Sequence, residues 1–137
     1  MTYNEWICIN NGNDLSQGEI RTRDTQMAFG KFYDGRSKDK EIAPREINKI
    51  VIPVQLQAQV SACGRRDDPS GTEGAYTLYT WDGTRETRIC TVDWDAPWGG
   101  APPTVHILDP NTSGYLISKV QPHTTMRNVE LAITKLG

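Results

Sequence analysis

The residues best suited to chemistry gather in two short segments. Val92 to Gly100 reads V-D-W-D-A-P-W-G-G. Trp94 and Trp98 stand four apart, Pro97 stiffens the turn between them, and Gly99-Gly100 ends it. Trp94 closes an alternating run and reads as a core anchor. Trp98, between Pro97 and Gly99, reads as the surface member. An exposed indole has an apolar body and a polar tip, which suits a membrane interface or a ligand contact. Trp6 and Phe29 join it if their strands end on the same side. The second segment, Ala62 to Gly74, reads A-C-G-R-R-D-D-P-S-G-T-E-G. Arg65 and Arg66 have the planar fork that grips a phosphate bidentately. Asp67 and Asp68 would equally neutralise them within the loop, and on residue types alone that blander reading is the stronger.

Catalytic and metal chemistry find little support. His106 and His123 are the two histidines. His106 has no acidic or nucleophilic neighbour in sequence, His123 follows Pro122 in a turn, and no G-x-S-x-G, H-E-x-x-H or phosphate-binding loop is present. Asp67-Asp68 and Asp93 with Asp95 are the nearest carboxylate pairs for acid-base work, but acids at turns are usually solvated turn-formers. Asp82 and Asp109-Pro110-Asn111 lack calcium-loop spacing. The expectation is a protein that is not an enzyme and holds no metal and no cofactor. Cys8, Cys63 and Cys90 are far apart, odd in number and in no metal pattern, so they read as small buried thiols. A single disulfide stays open if the protein works outside the cell.

These residues must be positioned by a frame, and the frame reads as β. Leu56, Ala58, Val60 and Ala62 alternate with Gln57, Gln59 and Ser61, the period of a strand with one wet face. Arg88, Cys90, Val92 and Trp94 alternate likewise, as do Val129, Leu131 and Ile133. Further strands are expected over Trp6 to Asn10, Glu19 to Arg23, Gln26 to Tyr33, Asn48 to Ile52, Gly74 to Trp81, Thr104 to Leu108 and Tyr115 to Val120. Turn signals separate them: Asn10 to Asn13, Asp34-Gly35, Pro69 to Gly74, Asp82-Gly83, Gly99 to Pro103 and Asp109 to Gly114. Asp39 to Asn48 has room for one helical turn, limited by Pro44. About ten short strands at this spacing predict an all-β, antiparallel β-sandwich, with 1–137 as a single domain. Loops at the ends of such a sandwich are where function sits.

Composition narrows the partners. The 137 residues carry 15 basic and 17 acidic side chains, a formal charge of −2. That excludes a generic nucleic-acid binder and a membrane contact driven by a polybasic patch. Apolar runs are only a few residues long, far short of the roughly 20 a spanning helix needs. Met1 to Trp6 shows no basic and then apolar leader, so no usual signal peptide is expected. The protein would remain in the producing cell, leave by an unconventional route or lysis, or have had a signal removed.

The two segments together resemble the aegerolysins. A-C-G-R-x-D with a following G-T-x-G, then W-D-x-P-W-G, occur here in order and at the family's spacing. Trp6, and G-K with a later K-D in Gly30 to Asp39, also match. The resemblance runs from about Trp6 to Gly137 and is weak after Pro103. It implies a β-sandwich without enzymatic activity that binds membrane sphingolipids. Some members bind sphingomyelin with cholesterol, others ceramide phosphoethanolamine. Several act with a larger perforin-like partner that forms the pore, and bacterial pairs of this kind can be insecticidal.

Carried across, Trp6 and Trp98 fall on membrane-facing family tryptophans, and Phe29 falls where fungal members usually have Trp. Ser70 stands where some sphingomyelin/cholesterol binders have Glu, Ala101 stands near a fungal Lys, and Ala96 replaces a Cys. These departures point to a bacterial member. The expected lipid-binding residues are Trp6, Phe29, Arg65, Ser70, Asp95 and Trp98, in a monomer or weak dimer. If each of three rings loses about 100 Å² of exposure, insertion yields about 7 kcal/mol before association costs of similar size. Micromolar binding needs about 8 kcal/mol net, so headgroup contacts near Ser70 and Asp95 must add to it. The alternatives are a lectin-type sandwich, with Trp98 stacked on a sugar ring, and a protein-interaction module using the same loops.

Overall fold

The computed structural model describes residues 5–66, 68–99, 101–120 and 127–136. His123, Asp67 and Gly100 lie outside them. The described residues form eleven strands and one helical turn: β1 (Trp6–Asn13), β2 (Glu19–Phe29), β3 (Lys31–Asp34), β4 (Ser37–Ile42), α1 (Pro44–Ile47), β5 (Val51–Ile52), β6 (Gln57–Cys63), β7 (Thr72–Trp81), β8 (Glu86–Ala96), β9 (Thr104–Leu108), β10 (Tyr115–Val120) and β11 (Asn128–Lys135). They make two sheets, ordered β10-β11-β1-β6-β3-β4 and β5-β2-β7-β8-β9. The pairings are antiparallel except β1 with β11, which run parallel. The sheets pack as the sandwich that the alternating sequence predicts.

The core follows from that alternation. Val60 and Ala62 from β6, Val92 and Trp94 from β8, and Val129, Leu131 and Ile133 from β11 are all buried in one cluster with Ile7, Ile9, Phe32 and Tyr76. Trp94 is wholly buried. Its ring meets Phe32 edge-on at 5.6 Å and Tyr76 at 6.1 Å, and its Nε1 donates to Thr72 Oγ1 at 3.2 Å. Gly74 lies opposite it on β7, where a Cβ would stand 2.6 Å from the indole, so only glycine admits the ring.

Several elements depart from the sequence reading. The Asn10 to Asn13 stretch, expected to turn, stays in β1. The amide of Asn11 donates to the Ala58 carbonyl (3.1 Å) and accepts from the Tyr76 hydroxyl (2.7 Å); Asn13 donates to the Ile52 carbonyl (2.8 Å) and accepts from Leu15 N–H (3.0 Å). Buried asparagines with filled hydrogen bonds are strand residues, not turn residues. Glu19 to Phe29 is one strand with an irregularity after Arg23, where Asp24 takes φ 54°, and it breaks instead at Gly30. Ser37 to Ile42 is an edge strand; its S-K-D-K-E-I sequence hides it because charged edges resist further pairing. Pro44 opens α1 rather than stopping it, as its missing N–H is unneeded in a first turn. On β8 an extra residue slips in, since Leu78 faces Cys90 and Tyr79 faces Arg88. Ile89 is thereby buried alongside Cys90, and Arg88 leaves the core.

The three cysteines are free and buried. Burial pushes the Cys90 thiol up to about 12 and raises that of Cys63. The face of β6 expected to be wet is dry at one end. There Cys63 packs with Cys8, Tyr33 and Trp6, and Cys8 Sγ lies 3.2 Å from Ser61 Oγ and 3.4 Å from the Tyr33 hydroxyl.

Candidate lipid-facing end

The two segments singled out from the sequence are locked together in space. Gly71, at φ 73°, lies against the peptide that carries Trp98. A Cβ there would stand 2.3 Å from the Ala96 carbonyl oxygen, 2.8 Å from Trp98 N and 3.0 Å from Pro97 C. Gly64 packs on the other side of Gly71, and Gly30 packs against the Cys63 carbonyl and Thr72. The start of β3, the end of β6, the start of β7 and the end of β8 therefore meet at one end of the sandwich.

That end collects the predicted residues. Trp98 and Phe29 are 55% and 50% exposed, large rings held open by the turns that follow them. Ser70 precedes Gly71 and is partly buried. Asp95 is exposed and pairs with Glu73, which pairs in turn with Phe29. Trp6 pairs with Cys63, whose other neighbour is Lys31. Its ring is half-buried rather than open: Lys38 Nζ lies 4.9 Å from the ring centroid and Arg127 Cζ 5.9 Å, while Arg127 Nη1 donates to the Trp6 carbonyl at 3.0 Å.

Arg65 has a partner that local sequence does not reveal. It donates through both Nη atoms to Glu41 of β4, at 2.9 and 3.1 Å. The guanidinium holds the Glu41 carboxyl below the usual carboxylate range, with Lys31 adding a smaller pull. Asp68 instead closes the turn by donating its backbone N–H to the Arg65 carbonyl at 3.2 Å. A pocket of about 240 Å³ opens beside the pair, with Lys31, Met27, Phe32 and Ile42 in its wall.

The end is electrically two-sided. The sheet carrying Trp6 contributes Lys31, Lys38, Arg65 and Arg127. The other sheet contributes Glu73 and Asp95, directly opposite each other, with Asp93 one step along. Neither Glu73 nor Asp95 has an ion pair among the described residues. Like charges so placed cost about 0.2–1 kcal/mol. Lys31 and Lys38 enter the sequence reading only as motif matches without a role, and Glu41, Glu73 and Arg127 are not singled out. Their roles come from contacts between segments distant in the chain. His106, without an acidic neighbour in sequence, faces Asp93 across β8 and β9. No group of three metal-binding side chains occurs among the described residues. The larger groove, about 580 Å³ between Leu15, Thr80, Trp81, Tyr115 and Lys135, contains none of the predicted residues.

Known proteins fit this geometry. The aegerolysin family profile matches residues 4–135. Asp-hemolysin of Aspergillus fumigatus is 34% identical over 97 residues, 71% of this chain and 67% of that protein. Ostreolysin A6 of Pleurotus ostreatus is 29% identical over 113 residues, 82% and 80% of the two chains. Among solved structures, RahU in complex with a Tris molecule superposes with a TM-score of 0.85 at 28% identity, covering 99% of this chain and 98% of RahU. IP-1A from Alcaligenes faecalis gives 0.82 at 27% identity, covering 98% and 94%. With its two signature segments interlocked over Gly71 and the profile spanning nearly its whole length, the chain belongs to the aegerolysin family.

Proposed function

We propose that this protein binds membrane sphingolipids of the phospho-headgroup class, ceramide phosphoethanolamine or sphingomyelin with cholesterol, through the end that carries Trp6, Phe29 and Trp98. Family membership supports a membrane-lipid-binding role and a binding rather than an enzymatic protein. The observation that carries the reading is the half-exposed pair Phe29 and Trp98 at one end of a rigid sandwich. A large aromatic side chain buries roughly 150–250 Å², so inserting an exposed half contributes about 2–3 kcal/mol per ring. Two rings supply about 5 kcal/mol, which association costs absorb, so headgroup contacts decide affinity. The two-sided charge at that end favours a zwitterionic surface. An anionic one would be repelled by Glu73 and Asp95.

In this reading the protein is the lipid-recognising half of a two-component pore-forming system, with a perforin-like protein as its partner at the target membrane. No described helix is long and apolar enough to cross a bilayer. Sedimentation with vesicles of ceramide phosphoethanolamine, sphingomyelin/cholesterol, phosphatidylcholine and phosphatidylserine tests the lipid step. Retention by a phosphosphingolipid and release from phosphatidylserine is expected. Retention by none of the sphingolipid vesicles, or by phosphatidylserine equally, overturns it. Glycan binding without vesicle binding would favour the lectin alternative.

A further inference from the structure

We propose that Lys31 and Arg65 form a phosphate subsite at this end, and that Glu41 is a resident anion that a lipid phosphodiester displaces. The inference rests on the lipid-binding reading and adds the group recognised and the contact that restrains it. Arg65 presents a planar fork, and in the free protein the fork is filled by a carboxylate in the two-point geometry a phosphate would use. Lys31 is 8% exposed and lines the same pocket as Arg65, so two cations share its wall. Glu41 feels both cations, and Lys31, Lys38 and Arg65 all act on neighbouring Cys63, with Glu41 opposing them. Arg65 and Lys31 thus act on one carboxylate, while Asp68 also acts on Arg65.

The pair is also displaceable. Arg65 and Glu41 side chains are 51% and 48% exposed, and ion pairs so exposed contribute little net. A phosphodiester carries one negative charge and two non-bridging oxygens, which meet the same fork in the same two-point geometry. The subsite lies beside the rings, since Lys31 is two residues from Phe29 and pairs with Cys63, which pairs with Trp6. A headgroup reaching it therefore leaves its acyl chains at the aromatic end. Glu41 would then lower affinity for phosphate-bearing surfaces, which must displace it, and leave binding to phosphate-free surfaces unchanged.

Three variants decide the matter: Glu41→Gln, Arg65→Gln and the double variant, measured on ceramide phosphoethanolamine vesicles. Removing the competing carboxylate should tighten binding about two- to fivefold, the worth of an exposed pair. Arg65→Gln should weaken it about tenfold or more, the loss of a bidentate charged contact. The double variant should show no gain over Arg65→Gln, because Glu41 acts only through Arg65. Equal gain with and without Arg65, or no gain from Glu41→Gln in a protein whose circular dichroism is native, overturns the proposal. A second probe separates it from the lipid reading. Titrating inorganic phosphate into Glu41→Gln while following arginine Nε–H resonances should shift one resonance that is absent in the double variant. If no vesicle retains the wild type but that shift occurs, the anion subsite stands and the lipid reading falls. If no resonance shifts, the subsite falls.

Discussion

Replacing Gly71 with alanine tests the interlock that brings the two segments together. Two effects add. An L-residue at φ 73° loses about 1–2 kcal/mol to left-handed strain. The new Cβ would also meet three backbone atoms of residues 96–98, the nearest at 2.3 Å, and backbone cannot swing aside as a side-chain tip does. Forced overpacking of that kind costs about 1–3 kcal/mol. The sum is about 2–5 kcal/mol. At about 2.1 cal/mol/K of unfolding entropy per residue, that lowers Tm by roughly 7–17 °C. Gly83 supplies the control: φ is 98°, but no atom lies within 4 Å of its Cβ position. Gly83→Ala should lose only the strain, roughly 3–7 °C. Thermal unfolding followed by circular dichroism gives both values. Because the clash falls on the Trp98 peptide, Gly71→Ala should also weaken vesicle binding while Gly83→Ala leaves it unchanged. Equal Tm shifts for the two variants, with binding untouched in both, would refute the interlock.

Three further outcomes follow from the same structure. Trp94→Ala, which empties a fully buried site between Phe32 and Tyr76, should destabilise by about 3–5 kcal/mol in urea denaturation; a loss below 1 kcal/mol would deny its place as core anchor. Cys90 has a raised folded pKa, so the unfolded chain loses its thiol proton first. The stability it contributes is whole below pH 9.0 and is lost as the pH rises towards about 12, and Cys90→Ala should flatten the fall above pH 9. Lys119 of β10 donates to the Val105 carbonyl of edge strand β9 at 2.7 Å. Lys119→Ala should raise light scattering on prolonged incubation below Tm with little change in Tm, whereas unchanged scattering would deny it an edge-protecting role.

The sandwich was legible because its core strands alternate cleanly: Val92 and Trp94, or Val129 to Ile133, leave one inward face. Legibility failed where a different signal prevailed. Asn10 to Asn13 looks like a turn because its residue types favour turns, yet long-range partners keep it in β1. Ser37 to Ile42 lacks alternation because an edge strand buries little. At the candidate site, Trp94 buried and Trp98 exposed were readable from local context, since Pro97 and Gly99 flank one ring and an alternating run ends on the other. The setting of Arg65 was not. Its local acids Asp67 and Asp68 suggested a neutralised loop, while its two-point partner is Glu41, 24 residues away. The cover over Trp6 depends on Lys38 and on Arg127, the latter 121 residues distant, and no local pattern encodes that.

The most direct measurement is the dissociation constant on ceramide phosphoethanolamine vesicles for wild type, Phe29→Ala, Trp98→Ala and the pair. Both side chains are about half exposed and neither is part of the core, so the variants should keep the wild-type Tm within a few degrees. Each single loss should weaken binding roughly 30- to 150-fold, corresponding to about 2–3 kcal/mol of unrealised burial, and the pair should leave no measurable binding. A correctly folded Trp98→Ala that binds these vesicles within threefold of wild type would contradict a lipid-facing role for this end of the sandwich.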